Sequence, residues 1–189
     1  LPPHLEVKGG QPLSGILKVS GAKNSSLVLM AAALLTKETL IIKNVPELTD
    51  IEVMSEILRN LGAKLIQRTN AIEINSDSIH NAELPYQLVH SLRASFFCIG
   101  SLLTRLGEAK IPLPGGCNIG ARPIDEHING LKALGAEVEI NDDVVKAHIP
   151  KKNKRLCGAN ITFKYPSVGA TETILMASCL ALGKTTISN

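Results

Sequence analysis

The apolar positions of this chain fall into short runs that follow two different periods. Val53, Met54, Ile57, Leu58 and Leu61 recur at a spacing close to 3.6. That spacing predicts a helix with one buried face, ended by Gly62. Thr49 and Glu52 form a capping-box pattern at its start, with Asp50 also near the positive helix end. Residues 64–67 and 72–75 carry the shorter period of strands and predict a hairpin. Upstream, residues 40–42 predict a short strand, and a turn at 20–24 opens a helix running to about Leu35. Residues 5–8 and 16–19 read as two extended pieces, with a turn at Gly9 and Gly10.

The pattern then recurs. Leu58, Leu61, Gly62, Ala63 and Leu65 are matched by Leu131, Leu134, Gly135, Ala136 and Val138. Each copy follows a helix, a short strand, a turn and a second helix. In the second copy the first helix runs from about Arg93 to Leu106 and the strand covers residues 110–113. A third copy opens at Gly169, continues through an apolar helix to Leu182 and reaches a strand at 185–188. The spacing of about 70 residues exceeds ordinary solenoid periods. It predicts an α/β domain of internal pseudo-threefold symmetry, with helices covered by short-stranded sheets. The third unit lacks its second helix and closing hairpin. The expectation is a piece of a longer polypeptide, with apolar surface left bare where that helix would pack.

Composition changes this picture little and excludes several partners. The 189 residues are 44% apolar and 20% charged, enough for a sizeable core. Aromatic residues make up 3% and tryptophan is absent, which weighs against stacking platforms for single-stranded nucleic acid. A net charge of +3 suits a binder of small anions and falls short of a basic nucleic-acid stripe. The densest basic run, residues 151–155, lies between two predicted strands and reads as a solvated hairpin tip. The longest apolar run, residues 27–35, is too short to span a bilayer, and no signal peptide is visible at the start. Four cysteines without a C-x-x-C pair, and histidines without metal spacing, point to a cytoplasmic protein with free thiols and no metal. Cys98 and Cys179 lie in apolar runs and read as buried structural residues.

Cys117 is different. Gly115, Gly116 and Gly120 surround it, Arg122 follows, and Pro123 begins a helix. Glycines permit backbone angles closed to other residues, so the segment reads as a loop that carries a thiol and a guanidinium to a site. A thiol near cations is either an activated nucleophile or a general acid. Arg122 offers a planar fork for phosphate or carboxylate, or is a surface arginine. Lys23 stands at a helix start, where a cation is unfavourable without a nearby anion. It reads either as a ligand for one or as an exposed turn lysine. Arg93 opens an otherwise apolar helix and reads as a snorkelling end residue or a contact. Asp125 reads equally as a helix-start carboxylate.

Residues 20–24 (SGAKN), 92–95 (LRAS), 114–125 and 167–171 (SVGAT) together resemble the enolpyruvyl transferases, in order and at the family's spacing from about Leu5 to Asn189. The cysteine loop is the most specific part, and it marks the members that begin peptidoglycan synthesis. The resemblance implies an inside-out α/β barrel of βαβαββ units, three to a domain, with two domains closing over the substrates. It implies that residues 1–20 are strands of a second domain and that 21–189 form the cysteine-loop domain. The implied reaction transfers the enolpyruvyl group of phosphoenolpyruvate to the 3-hydroxyl of UDP-N-acetylglucosamine, without cofactor, nucleic-acid or membrane partner. Lys23, Asn24, Cys117 and Arg122 would meet phosphoenolpyruvate, with Cys117 protonating its C3. The same thiol would be the one alkylated by the epoxide fosfomycin. Arg93, Arg122, Pro123, Ile124, Asp125, Glu126, Ser167, Val168 and Gly169 would contact the sugar nucleotide. A lysine can occupy position 165 in the family; here it is Tyr165. An aspartate base and a carboxylate-clamping arginine would come from the second domain, a partner half with no counterpart in this sequence. Two other readings are a non-catalytic sugar-nucleotide-binding half and an RNA-processing relative of the same fold.

Overall fold

The computed structural model describes residues 3–113 and 123–189. Cys117 and Arg122 lie outside these residues, so the expectations placed on them are neither met nor contradicted by the coordinates.

The first unit begins with helix α1 (Lys23–Ala32), extended by a 3₁₀ turn (Ala33–Leu35), and then strand β1 (Thr39–Lys43). Helix α2 (Thr49–Asn60) follows, with strands β2 (Lys64–Arg68) and β3 (Ala71–Asn75). The second unit opens at Glu83, which bridges Lys110 in parallel sense, and continues through helix α3 (Tyr86–Ser91). A 3₁₀ turn (Arg93–Phe97) leads into helix α4 (Cys98–Leu106) and strand β4 (Glu108–Pro112). Helix α5 (Asp125–Ala133) and strands β5 (Glu137–Asn141) and β6 (Val144–His148) complete it. The third unit holds strand β7 (Asn160–Thr162), helix α6 (Val168–Ser178) and strand β8 (Thr186–Ser188), the two strands running parallel.

The first two sheets share one topology. Their orders are β1-β3-β2 and β4-β6-β5, every neighbour antiparallel. In the first, Ile42 faces Ile72 and Leu65 faces Ile74; in the second, Ile111 faces Val145 and Val138 faces Ala147. These alternate positions cover the helices, while the other faces carry charge to solvent. The helix ends repeat as closely. Gly62 donates to the Arg59 carbonyl and Ala63 to the Leu58 carbonyl; Gly135 and Ala136 do the same to Lys132 and Leu131. Each is a Schellman motif, and it needs the left-handed backbone that Gly62 (φ 101) and Gly135 (φ 92) supply.

Helices α1, α4 and α6 form the centre. Gly100 of α4 packs so close to α6 that a β-carbon there would stand 2.4 Å from the Thr173 carbonyl oxygen. Gly130 of α5 meets the Ile174 side chain from the other side in the same way, at 2.5 Å. Leu27, Met30, Ile99, Leu102 and Ile174 are fully or almost fully buried around these contacts.

Residues 3–20 pair with none of the described strands, and Leu5, Val7, Leu13, Ile16, Leu17 and Val19 stand exposed. An extended segment becomes a strand only by pairing. Three sequence expectations fail. The capping box does not form. Leu48 is the N-cap and Thr49 is already helical, because Ile51 and Glu52 donate to the Leu48 carbonyl with no side-chain cap. The basic run 151–155 is no hairpin tip. It joins β6 of one sheet to β7 of another, whereas the hairpin turn sits at Asp142 and Asp143, both at positive φ. Cys98 is buried as expected, with its thiol pushed up to about 12 by burial, but Cys179 is exposed. It lies one residue past the end of α6, on the side away from the helix's packed face.

Candidate active site

A cleft of about 720 Å³ opens where the central helices begin. Lys23 and Asn24 reach it from the first turn of α1, Arg93 from the turn leading into α4, and Ser167, Val168 and Gly169 from the start of α6. Corresponding positions of all three units therefore meet at one opening. Helix starts present unpaired N–H groups and partial positive charge, so the convergence favours an anion. The Ser167 hydroxyl oxygen accepts from the Ala170 N–H and caps α6. Pro123 and Ile124 line the same cleft. The segment that carries Cys117 and Arg122 joins the described chain at Pro123.

Asp125 and Glu126 do not line this cleft. Asp125 is exposed beside it, and its carboxylate accepts a hydrogen bond from the Tyr165 hydroxyl. That bond lowers the Asp125 pKa and pushes the phenol up to about 12. Glu126 is buried, and its Oε2 accepts from the Lys164 N–H at 3.1 Å while Oε1 accepts from Asn129. Its geometry is that of an internal brace.

Several cleft residues carried no sequence signal of their own. Asp50, in the first turn of α2, pairs with Lys23 at 2.7 Å, and supplies the anion that the sequence did not show beside that lysine. The two lie far apart in the chain, and only the packing of α1 on α2 brings them together. His127 is buried on α5, with Nδ1 at 3.0 Å from the Thr173 hydroxyl and its ring edge-on to Phe96. Burial, reinforced by the charge of Arg93, lowers its pKa to about 4, so it is neutral at physiological pH. Gly169 leaves room for this ring: a β-carbon there would lie 3.3 Å from it. Glu172, on the second turn of α6, lines the cleft, and burial raises its pKa. A lone histidine three residues into a helix has no motif to announce it. Tyr165 was visible only as a departure from the lysine found elsewhere.

Among the described residues no helix is long and apolar enough to cross a membrane.

The fold and sequence have clear relatives. The enolpyruvyl transferase NikO from Streptomyces tendae superposes with a TM-score of 0.74 at 24% identity, covering 95% of this chain and 41% of that one. An EPSP synthase from Acinetobacter baumannii gives 0.72 at 18% identity. In sequence, the UDP-N-acetylglucosamine 1-carboxyvinyltransferase of Prochlorococcus marinus strain NATL1A is 85% identical over all 189 residues. That of strain MIT 9313 is 59% identical. The chain spans 41% of the first of these relatives and 44% of the second. Residues 7–189 match the EPSP synthase (3-phosphoshikimate 1-carboxyvinyltransferase) family. The three-unit fold and a match over nearly the whole chain place this protein in that family.

Proposed function

We propose that this chain is the cysteine-loop portion of a cytoplasmic UDP-N-acetylglucosamine 1-carboxyvinyltransferase, acting in the first committed step of peptidoglycan synthesis. The observation that carries the reading is the meeting of Lys23, Asn24, Arg93 and the start of α6 at one cleft, in a chain 85% identical to a protein of that name. Lys23 and Arg122 hold the phosphate of phosphoenolpyruvate, and Asn24 contacts the reacting groups. Arg93 and Ser167 to Gly169 meet the diphosphate and ribose of the sugar nucleotide, and Pro123, Ile124 and Asp125 its uridine end. Glu126 supports that wall from behind.

The 3-hydroxyl of the sugar gives its proton to the aspartate base that the family implies as its oxygen attacks C2 of phosphoenolpyruvate, while the Cys117 thiol gives its proton to C3. The tetrahedral intermediate then expels phosphate as C3 returns a proton, restoring the enol. The Lys23–Asp50 pair has a further part. An incoming phosphate competes with the Asp50 carboxylate for the ammonium, so the site is not left with an uncompensated cation when empty. Attack and protonation both require the substrates held in register, and the aspartate base and second arginine implied by the family belong to a longer polypeptide.

Two measurements test this. Calorimetric titration of the chain with UDP-N-acetylglucosamine is expected to show binding. Treatment with an epoxide phosphonate is expected to add one mass increment at Cys117, faster with the sugar nucleotide present. No binding, together with equal labelling of Cys98, Cys117, Cys157 and Cys179, would sink the proposal.

A further inference from the structure

The segment before α6 is fastened to the start of α5 at two successive residues. The buried Glu126 carboxylate accepts the backbone N–H of Lys164 at 3.1 Å, and the exposed Asp125 carboxylate accepts the hydroxyl of Tyr165. The first bond fixes the backbone, and so presets the reach of the phenol. Phe163 strengthens the fixture on the other side: it is buried, donates to the Ser188 carbonyl, and its own carbonyl accepts from Asn189. Tyr165 itself lines the cleft.

We propose that Tyr165 is a specificity-determining positioning residue, which orients the Asp125 carboxylate so that the cleft accepts a uracil base and discriminates against cytosine. This rests on the reading of the cleft as a uridine-nucleotide site. Tyr165 donates to Oδ1 of Asp125, which leaves Oδ2 as the acceptor for a ligand. Uracil offers a donor at N3, which an ionised carboxylate accepts. Cytosine presents a bare acceptor at N3, which the same carboxylate repels. A freely rotating Asp125 would make that distinction weakly, because an exposed side chain can turn aside. The phenol's hydrogen bond biases it against doing so. The charged groups around it act in the same direction. The Tyr165 hydrogen bond and Lys164 both favour the ionised form, while His127 behind it is neutral and Glu126 is occupied by Lys164 and Asn129.

The substitution Tyr165→Phe tests this, since it keeps the ring and removes only the hydroxyl. A hydrogen bond to a charged group in a partly exposed setting predicts that UDP binding weakens roughly three- to tenfold. CDP binding is expected to strengthen, because the released carboxylate can turn away from cytosine N3, so the UDP-to-CDP preference shrinks from both sides. In an Asp125→Asn background the same substitution is expected to change neither. Carboxyl NMR of Asp125 should titrate at higher pH in Tyr165→Phe than in the parent. Equal UDP affinity in parent and Tyr165→Phe would overturn the proposal, as would an equal loss for UDP and CDP. Parent protein that binds no uridine nucleotide at all would overturn the functional reading, and this inference with it. Binding by the parent that Tyr165→Phe matches would remove the inference alone.

Discussion

The first and second units build the same scaffold and enter their second helices differently. In the first, residues 44–48 join β1 to α2; in the second, residues 113–124 join β4 to α5 and include Cys117 and Arg122. Sheet order, strand register and Schellman ends are shared between them. The repeated parts thus carry stability, and the enlarged connection carries the proposed chemistry. Even the carboxylates at the two helix starts follow this division. Asp50 of α2 answers a lysine of its own unit, whereas Asp125 of α5 answers a tyrosine of the next.

The sharpest way to break the comparison is at Cys117. Cys117→Ser in the complete enzyme is expected to lower phosphate release by about 10²–10⁴-fold, the usual worth of a general acid, with sugar-nucleotide affinity retained. Retained turnover would mean that the enlarged connection is ornamental. The next effect compares matched glycines. Both Gly62 and Gly135 have positive φ, but a β-carbon at Gly62 would also stand 2.6 Å from His80 and 2.8 Å from the Ser78 carbonyl, whereas Gly135 faces open space. Urea unfolding should show Gly135→Ala costing about 1 kcal/mol and Gly62→Ala roughly 2–3 kcal/mol. Equal costs would show that the close contacts at Gly62 add nothing to the backbone requirement the two ends share.

His127 belongs to the second unit's wall and gives it a pH response. Its folded pKa of about 4 lies below the ordinary 6.5. Between those values the unfolded chain binds a proton that the folded chain refuses. Stability from this group is therefore complete above about pH 6.5 and is lost as pH falls towards 4, by roughly 3 kcal/mol in all. Denaturant midpoints across that range should fall in the parent and flatten in His127→Gln. The smallest effect is at Asp50. Its pair with Lys23 is half exposed, so Asp50→Asn should change unfolding free energy by less than about 1 kcal/mol while altering anion affinity at the cleft.

Features of local origin were legible in the sequence. The repeated leucine–glycine ends, the first hairpin and the three apolar central helices all follow from spacing over a few residues. The gathering of Lys23, Asn24, Arg93 and Ser167 to Gly169 at one cleft was implied by the family resemblance, not by spacing alone. What escaped depends on distance. Nothing near Lys23 in the chain announces Asp50, and nothing near Asp125 announces Tyr165. Thr49 had the right neighbours for a cap but the wrong backbone, since the helix begins at Thr49 itself and Leu48 takes the N-cap place. The extended residues 5–19 had strand-like composition, yet pairing is a property of two segments. Cys179 sat in an apolar run, but only the placement of α6 decides which of its sides is covered.

The glycine contacts that clasp α6 from α4 and α5 have a dynamic consequence. With carbonyl and side-chain atoms wedged against bare α-carbons on two sides, that helix has no slack to slide or roll. Amide hydrogen exchange should accordingly be slowest along Ala170 to Ala177, in an opening that requires the whole domain to come apart. Adaptation to a bound molecule then falls to side chains and connecting segments, around a floor that behaves as a single rigid casting.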